Sequence, residues 1–440
     1  MRDLTELEGR PYVVISSDNH GGADLLDYKP YLERRWHDEF DAWAATYSNP
    51  WVFLDPRVPE EGQDEEDLIL VAASSWHSPL NWNSAKRVAQ MEANGVVAEV
   101  LFPNTAPPFM PTSVLAGTPP ASRTEYERRW AGLRAHNRWL VDFCAEAPGR
   151  RAGVAQVMLY DVEDAAEEVR WIREAGLTGG ILLPMDGTEG GTEPLHSPDY
   201  DLLWSVCEDL DVPVHRHASE PSATPDSKHP ELIAIGMAEY GFWNHRALAH
   251  LVFAGVFERH PRLKFVFAET GIGWVPGHLQ QLDGVYAMGK AQRDGTLRAV
   301  MREAMAPLSL TPSEYFQRHC YLGASILQPT EVPVREQVGV DKIMWGVDYP
   351  HAEGCFPYAR EAMQLTFADV PEDEVRRMLG ATAAEIYEFD YDALQVIADK
   401  VGPTVAELQQ GLPPERWPRV PEDTYSSVFE TVRHGRDLLL

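Results

Sequence analysis

Four apolar runs in this chain end on residues that bind metals or move protons. The first, YVVISSDNHGG, delivers Asp18 and His20. Residues two apart on a strand point the same way, so an Asp-x-His pair at a strand end either converges on one cation or caps a turn. The second, DVPVHRHASE, carries His215 and His217 at the same spacing. A histidine ending a buried strand supplies a neutral imidazole to zinc or a similar ion. His217 lies nearer the strand end and is the candidate ligand. His215 is a candidate catalytic imidazole, or else a hydrogen-bonded structural histidine. The third, LKFVFAETGIGW, closes on Glu269, with Gly271 and Gly273 allowing close backbone approach. Glu269 reads as a general acid or base, a ligand, or a carboxylate paired to a cation. The fourth, KIMWGVDYPHAEG, sets Asp348 straight after an apolar run. Asp348 reads as a ligand, a holder of catalytic water or a helix cap. Pro350 then turns the backbone, and His351 is placed to touch substrate or support a ligand.

These runs belong to a series of eight short β-rich stretches alternating with helical patterns: 12–17, 96–102, 154–159, 180–183, 212–217, 263–268, 320–324 and 343–346. That alternation predicts parallel βαβ units. Between two of them, DVEDAAEEVRWIREAG combines an Asp start, amphipathic spacing and a Gly stop, which predicts a helix over 161–175. Eight strands with intervening helices predict an α/β fold of (β/α)8 TIM-barrel type, whose catalytic groups sit at the C-terminal strand ends. The first βα turn has no GxGxxG run, which argues against a dinucleotide site.

The barrel is expected over 1–390. A long insertion at 18–95 follows strand one and so emerges on the catalytic face; it holds Trp36, Trp43, Trp51, Trp76, Trp82 and the acidic run 59–67. It reads equally as a pocket wall or as a segment packing on its own aromatics or on a second subunit. Residues 391–440 are expected as a C-terminal helical extension, with helices over 392–400 and 405–412. A homodimer or higher homo-oligomer is the expected assembly.

Composition narrows the function class. A net charge of −30 over 440 residues repels nucleic acid and anionic membranes. No apolar stretch has signal-peptide or membrane-span form, so a cytoplasmic enzyme acting on a small molecule is expected. The four cysteines are far apart and form no CxxC pair, which argues against a cysteine zinc site and a disulfide framework.

The stretches ISSDNH, NGVVAEVLFPNT, VPVHRH, FERHPRLKFVFAETGIGW and IMWGVDYPH resemble the amidohydrolase superfamily, and within it the amidohydrolase-2 family that includes aminocarboxymuconate semialdehyde decarboxylase and resorcylate decarboxylases. The resemblance runs over most of residues 10–390. It implies one divalent ion, zinc or in some members manganese, held by Asp18, His20, His217 and Asp348. The chain departs from the family at two positions: Asp18 stands where His or Glu is frequent, and Glu269 where the family has a catalytic histidine.

The expected function is therefore a metal-dependent hydrolase acting on a small organic substrate through a metal-activated water, with Asp348, Glu269, His351 and His215 as catalytic candidates. A Glu beside metal-bound water favours hydrolysis. The alternative is a non-oxidative decarboxylase of an aromatic or muconate-like acid. Arg216 would suit a substrate carboxylate, but its strand parity points it away from the pocket. A catalytically silent binding barrel is a third reading, and the intact ligand set argues against it.

Overall fold

The computed structural model describes residues 4–48, 78–110, 119–186, 191–218, 231, 235, 238–239, 241–291, 295–325, 327–351, 354–418 and 428–429. All eight expected strands are present and parallel. They are β1 (Ile15–Gly21), β2 (Ala98–Pro103), β3 (Arg151–Gly153 continuing as Ala155–Gln156), β4 (Ile181–Leu182), β5 (Val214–His217), β6 (Phe265–Ala268), β7 (Cys320–Ser325) and β8 (Ile343–Gly346). The first part of β3 pairs with β2 and the second with β4. The break at Val154 splits the ladder into runs of three and six strand segments. The barrel closes where β1 meets the chain leaving β8: Asn19 bridges to Tyr349, and Asp348 N donates to Asp18 O at 2.8 Å.

β1 differs from expectation. It starts at Ile15 rather than Tyr12 and runs on to Gly21, because residues through Gly21 continue to pair with β2 across an irregularity between Ser16 and Asn19. Asp18 and His20 are thus strand residues, and the insertion begins after them. Strand parity sorts the core. Val100, Phe102, Val154, Leu182, Val266 and Met344 form one cluster inside the barrel. Leu101, Ile181, Val214, Phe267 and Trp345, of opposite parity, join a larger cluster under the helices. Burying both faces is what lets β6 (FVFA) and β8 (IMWG) run apolar without alternation.

The helix expected at 161–175 is α1 (Val162–Glu174); Asp161 caps it by accepting from Asp164 N, and Gly176 leaves it at φ +88°. In the insertion, a helix at His37–Ala44 carries Trp43, and Trp36 immediately precedes it. Both rings pack on Phe109, with centroids 6.1 Å (Trp36) and 5.6 Å (Trp43) away. Trp82 packs against the main core. The three described insertion tryptophans thus each pack against other parts of the protein. Trp51, Trp76 and the acidic run 59–67 lie outside the described residues.

The C-terminal helices span Tyr391–Val401 and Val405–Gln409. Tyr391, Leu394 and Ala398 join the cluster of Val13 and Ile15, and Tyr12 N donates to Pro403 O at 2.9 Å. This part of the extension packs against the floor of the barrel; residues 430–440 lie outside the described residues. All four cysteines are free thiols. Among the described residues no helix is long and apolar enough to cross a membrane.

Candidate metal centre

Asp18 and His20 from β1, His217 from β5 and Asp348 after β8 meet inside the barrel mouth. Nε2 of His20 lies 3.3 Å from Asp18 Oδ1 and 3.2 Å from Asp348 Oδ1, and Nε2 of His217 lies 3.3 Å from the same Asp18 oxygen. The four are buried, with Asp18 and Asp348 wholly inaccessible. Asp18, His20 and His217 offer ligand atoms within 4.8 Å of one another, as do His20, Asp348 and His351.

The opposite edge of each imidazole is tied to the protein. Nδ1 of His217 lies 3.0 Å from Ala218 O and 3.2 Å from Glu269 Oε2; Nδ1 of His20 lies 3.5 Å from Pro103 O. Nδ1–H pointing at an acceptor leaves Nε2 bare and facing the carboxylates, the arrangement of a metal-binding histidine. Glu269 thus stands behind His217, on the ring edge away from Asp18.

Asp348 and Glu269 both adopt left-handed backbone, φ +60° and +56°. For non-glycine residues this costs energy and clusters at functional sites. Around the Asp348 turn, Asp348 accepts from His351 N at 2.8 Å, and His351 Nδ1 lies 2.9 Å from Asp348 Oδ1. The His351 ring packs 4.0 Å from that of His20, and its Nε2 lies 3.1 Å from Asn104 Oδ1.

Electrostatics favour a cation here. Burial works against the charged form of Asp18, but His217 and His20 hold its carboxyl far below the usual range. Burial likewise opposes ionisation of Asp348, and His351 and His20 hold it down. For His217, burial disfavours the proton, yet Asp18 and Glu269 outweigh it and push the imidazole up to about 9. Two buried carboxylates, Asp18 and Asp348, thus pull positive charge toward one point, and the partly buried Glu269 adds to the pull on His217. Nε2 of His20 and both carboxylate oxygens of Asp348 are buried with no aligned hydrogen-bond partner among the described residues. Burying such atoms with only misaligned neighbours is costly, and a divalent cation would satisfy all three. Two imidazoles and two carboxylates suit zinc or manganese.

His215 is placed differently. One layer deeper on β5, it has Nδ1 at 3.1 Å from Ile181 O and Nε2 at 2.9 Å from Tyr387 OH, so both ring nitrogens are engaged. Burial pushes its pKa down to about 3. Arg216 points outward, as its parity requires, and pairs with Asp186 at 2.9 Å. Two site residues escape a sequence reading. Ser325, ending β7, donates from Oγ to Asp18 Oδ2, and Asn104, just past β2, holds His351. Strand-end position is the one signal either carries.

Known proteins share this architecture. The gamma-resorcylate decarboxylase of Rhodococcus jostii is 27% identical over 300 residues, spanning 63% of this chain and 84% of the relative. The crystal structure of 5-carboxyvanillate decarboxylase LigW from Sphingomonas paucimobilis superposes with a TM-score of 0.58 at 19% identity, covering 86% of this chain and 99% of that one. A dihydroxybenzoic acid decarboxylase from Polaromonas sp. JS666, solved with bound manganese and the inhibitor 2-nitroresorcinol, gives 0.55 at 18% identity over 86% and 97%. The structural likenesses carry the fold, a TIM barrel. The amidohydrolase family model (Amidohydro_2) matches residues 101–389, from β2 through the helix beyond β8, and this chain belongs to that family.

Proposed function

We propose that this protein is a metal-dependent, non-oxidative decarboxylase of a ring-hydroxylated aromatic acid. The observation that carries the reading is the 300-residue likeness to a gamma-resorcylate decarboxylase. Hydrolysis, the first expectation from sequence, rested on Glu269 standing beside a metal-bound water. Its position behind Nδ1 of His217 suits an orienting carboxylate instead.

In this reading Asp18, His20, His217 and Asp348 hold one divalent ion, manganese or zinc. When bound, that ion acts as a Lewis acid that anchors and polarises substrate oxygens. Asp348 and His351, 2.9 Å apart, are close enough to exchange a proton. Asp348 delivers it to the ring carbon bearing the carboxylate. The C–C bond then breaks, CO₂ leaves, and the bonding electrons restore the aromatic ring, so no redox partner is needed. Ser325 and Glu269 orient Asp18 and His217, and Phe102, 4.9 Å from the His217 ring, gives the centre an apolar wall. His215 is a structural residue of the barrel interior. The expected homo-oligomer stands as a further proposal, checked by light scattering.

The test is CO₂ release from a panel of hydroxylated benzoates by protein loaded with Mn²⁺ or Zn²⁺, before and after chelation. Turnover of at least one substrate, abolished by chelator and restored by metal, is expected. Hydrolysis of esters or amides with no CO₂ from any benzoate would return the protein to the hydrolase reading.

A further inference from the structure

Behind the barrel wall, away from the mouth, lies a buried carboxylate that the proposed chemistry does not use. Glu99 on β2 and Arg87 on the helix Ser84–Ala93 are wholly inaccessible. Glu99 accepts from Arg87 Nη2 at 2.6 Å, Arg87 Nε at 3.4 Å, Arg151 Nε at 3.0 Å and Asn19 Nδ2 at 2.8 Å. Burial disfavours its charge, but the two guanidiniums outweigh that and hold its pKa at about 2.

Two of these partners reach the ligand-bearing backbone. Arg87 Nη1 donates to His20 O at 2.7 Å, and its guanidinium lies over the Tyr349 ring at 4.7 Å. Asn19 stands between Asp18 and His20 and points outward; its Oδ1 accepts from Ser16 Oγ at 2.7 Å and from Tyr349 N at 3.2 Å. Tyr349 directly follows Asp348. The third partner, Arg151, turns elsewhere, donating to Phe143 O at 2.7 Å and Ser84 Oγ at 2.9 Å. One carboxylate thus anchors both sides of the seam that closes the barrel, and that seam carries three of the four proposed ligands.

We infer that Glu99, acting through Asn19 and Arg87, is a positioning residue that sets the spacing of Asp18 and His20 against Asp348 and so tunes metal affinity. The inference rests on the metal-centre reading above. An outer partner of this kind is expected to change metal affinity by about 10–100-fold.

Arg151 supplies the control. Arg87→Met and Arg151→Met each leave Glu99 with one guanidinium, so a merely structural ion network would respond alike to both. Metal-stripped protein is titrated with MnCl₂ by calorimetry, with folding checked by circular dichroism. Arg87→Met and Asn19→Ala should raise the Mn²⁺ Kd about 10–100-fold, while Arg151→Met stays within about threefold of the parent. Asn19→Ala changes no charge and carries the test alone if Arg87→Met does not fold. The inference is overturned if Asn19→Ala keeps the parent Kd, or if Arg151→Met loses as much as Arg87→Met. A parent protein that binds neither Mn²⁺ nor Zn²⁺ would instead remove the metal-centre reading, and this inference with it.

Discussion

The seam between β1 and β8 has two sides, and each buries a carboxylate. On the outer side Glu99 is saturated by two arginines and an asparagine. On the inner side Asp348 is equally inaccessible, yet neither of its oxygens has an aligned hydrogen-bond partner among the described residues. Their neighbours differ in kind. Glu99 meets fixed cations, which balance its charge permanently. Asp348 meets His20 and His351, whose charge is exchangeable and whose nitrogens coordinate metals. Burial therefore does not separate the two carboxylates; the exchangeable charge of their neighbours does.

Substitutions on the two sides should fail in opposite ways. The largest effect is expected inside. Asp348→Asn should cut turnover by about 10⁴-fold or more through loss of both ligand and proton carrier, while thermal unfolding of the metal-free protein changes little or shifts downward, because His351 and His20 favour the ionised carboxyl in the fold. Metal content and CO₂ release measure the first part, and calorimetry the second. A variant that keeps metal and turnover would place the centre elsewhere.

Outside the barrel, Glu99→Gln should show its primary damage in stability. It leaves two buried guanidiniums facing a neutral amide, a loss of about 3–5 kcal/mol, or 10²-fold to several thousandfold in the folding equilibrium. Urea unfolding of the metal-free protein reads this directly. An unchanged midpoint would mean that solvent or rearrangement relieves the arginines.

Glu269→Gln tests the boundary between the two kinds of role. As an orienter of His217 it should cost about 10–100-fold in turnover with a matching loss of metal affinity. A fall of about 10²–10⁴ at full metal occupancy would instead make Glu269 the acid or base that its strand-end position suggests.

The smallest effect is expected at His215. Tyr387→Phe deletes the hydroxyl that meets His215 Nε2 and should cost about 1–3 kcal/mol of stability in urea unfolding, with turnover within about threefold. A large loss of turnover with stability intact would restore His215 as a catalytic imidazole.

Much of this was legible in the chain itself. Most barrel strands lie in or beside a short apolar run, because parallel strands buried on both faces need no alternation. The Asp161 cap and Gly176 stop of α1 depend only on local chemistry. Period-two spacing correctly turned Arg216 outward. The end of β1 was less visible, since SSDNHG is polar and reads as a loop; it is a strand because β2 pairs with it through Gly21. The insertion tryptophans could not be placed either, because an aromatic residue suits a pocket wall and a packing layer equally well.

The sequence by itself determined which residue types stand at which strand ends, since those follow from periodicities of two and from short apolar runs. The resemblance to the amidohydrolase-2 family, and not periodicity, then marked Asp18, His20, His217 and Asp348 as a set. Only the tertiary structure decided which faces which: Ser325 on Asp18, Asn104 on His351, Glu269 behind His217 and Glu99 behind the seam. Most of these contacts join residues far apart in the chain, and all depend on strand register and on how the barrel closes. A side chain's alternation along its own strand says that it points inward, but the neighbour it meets there is chosen by the stagger of other strands.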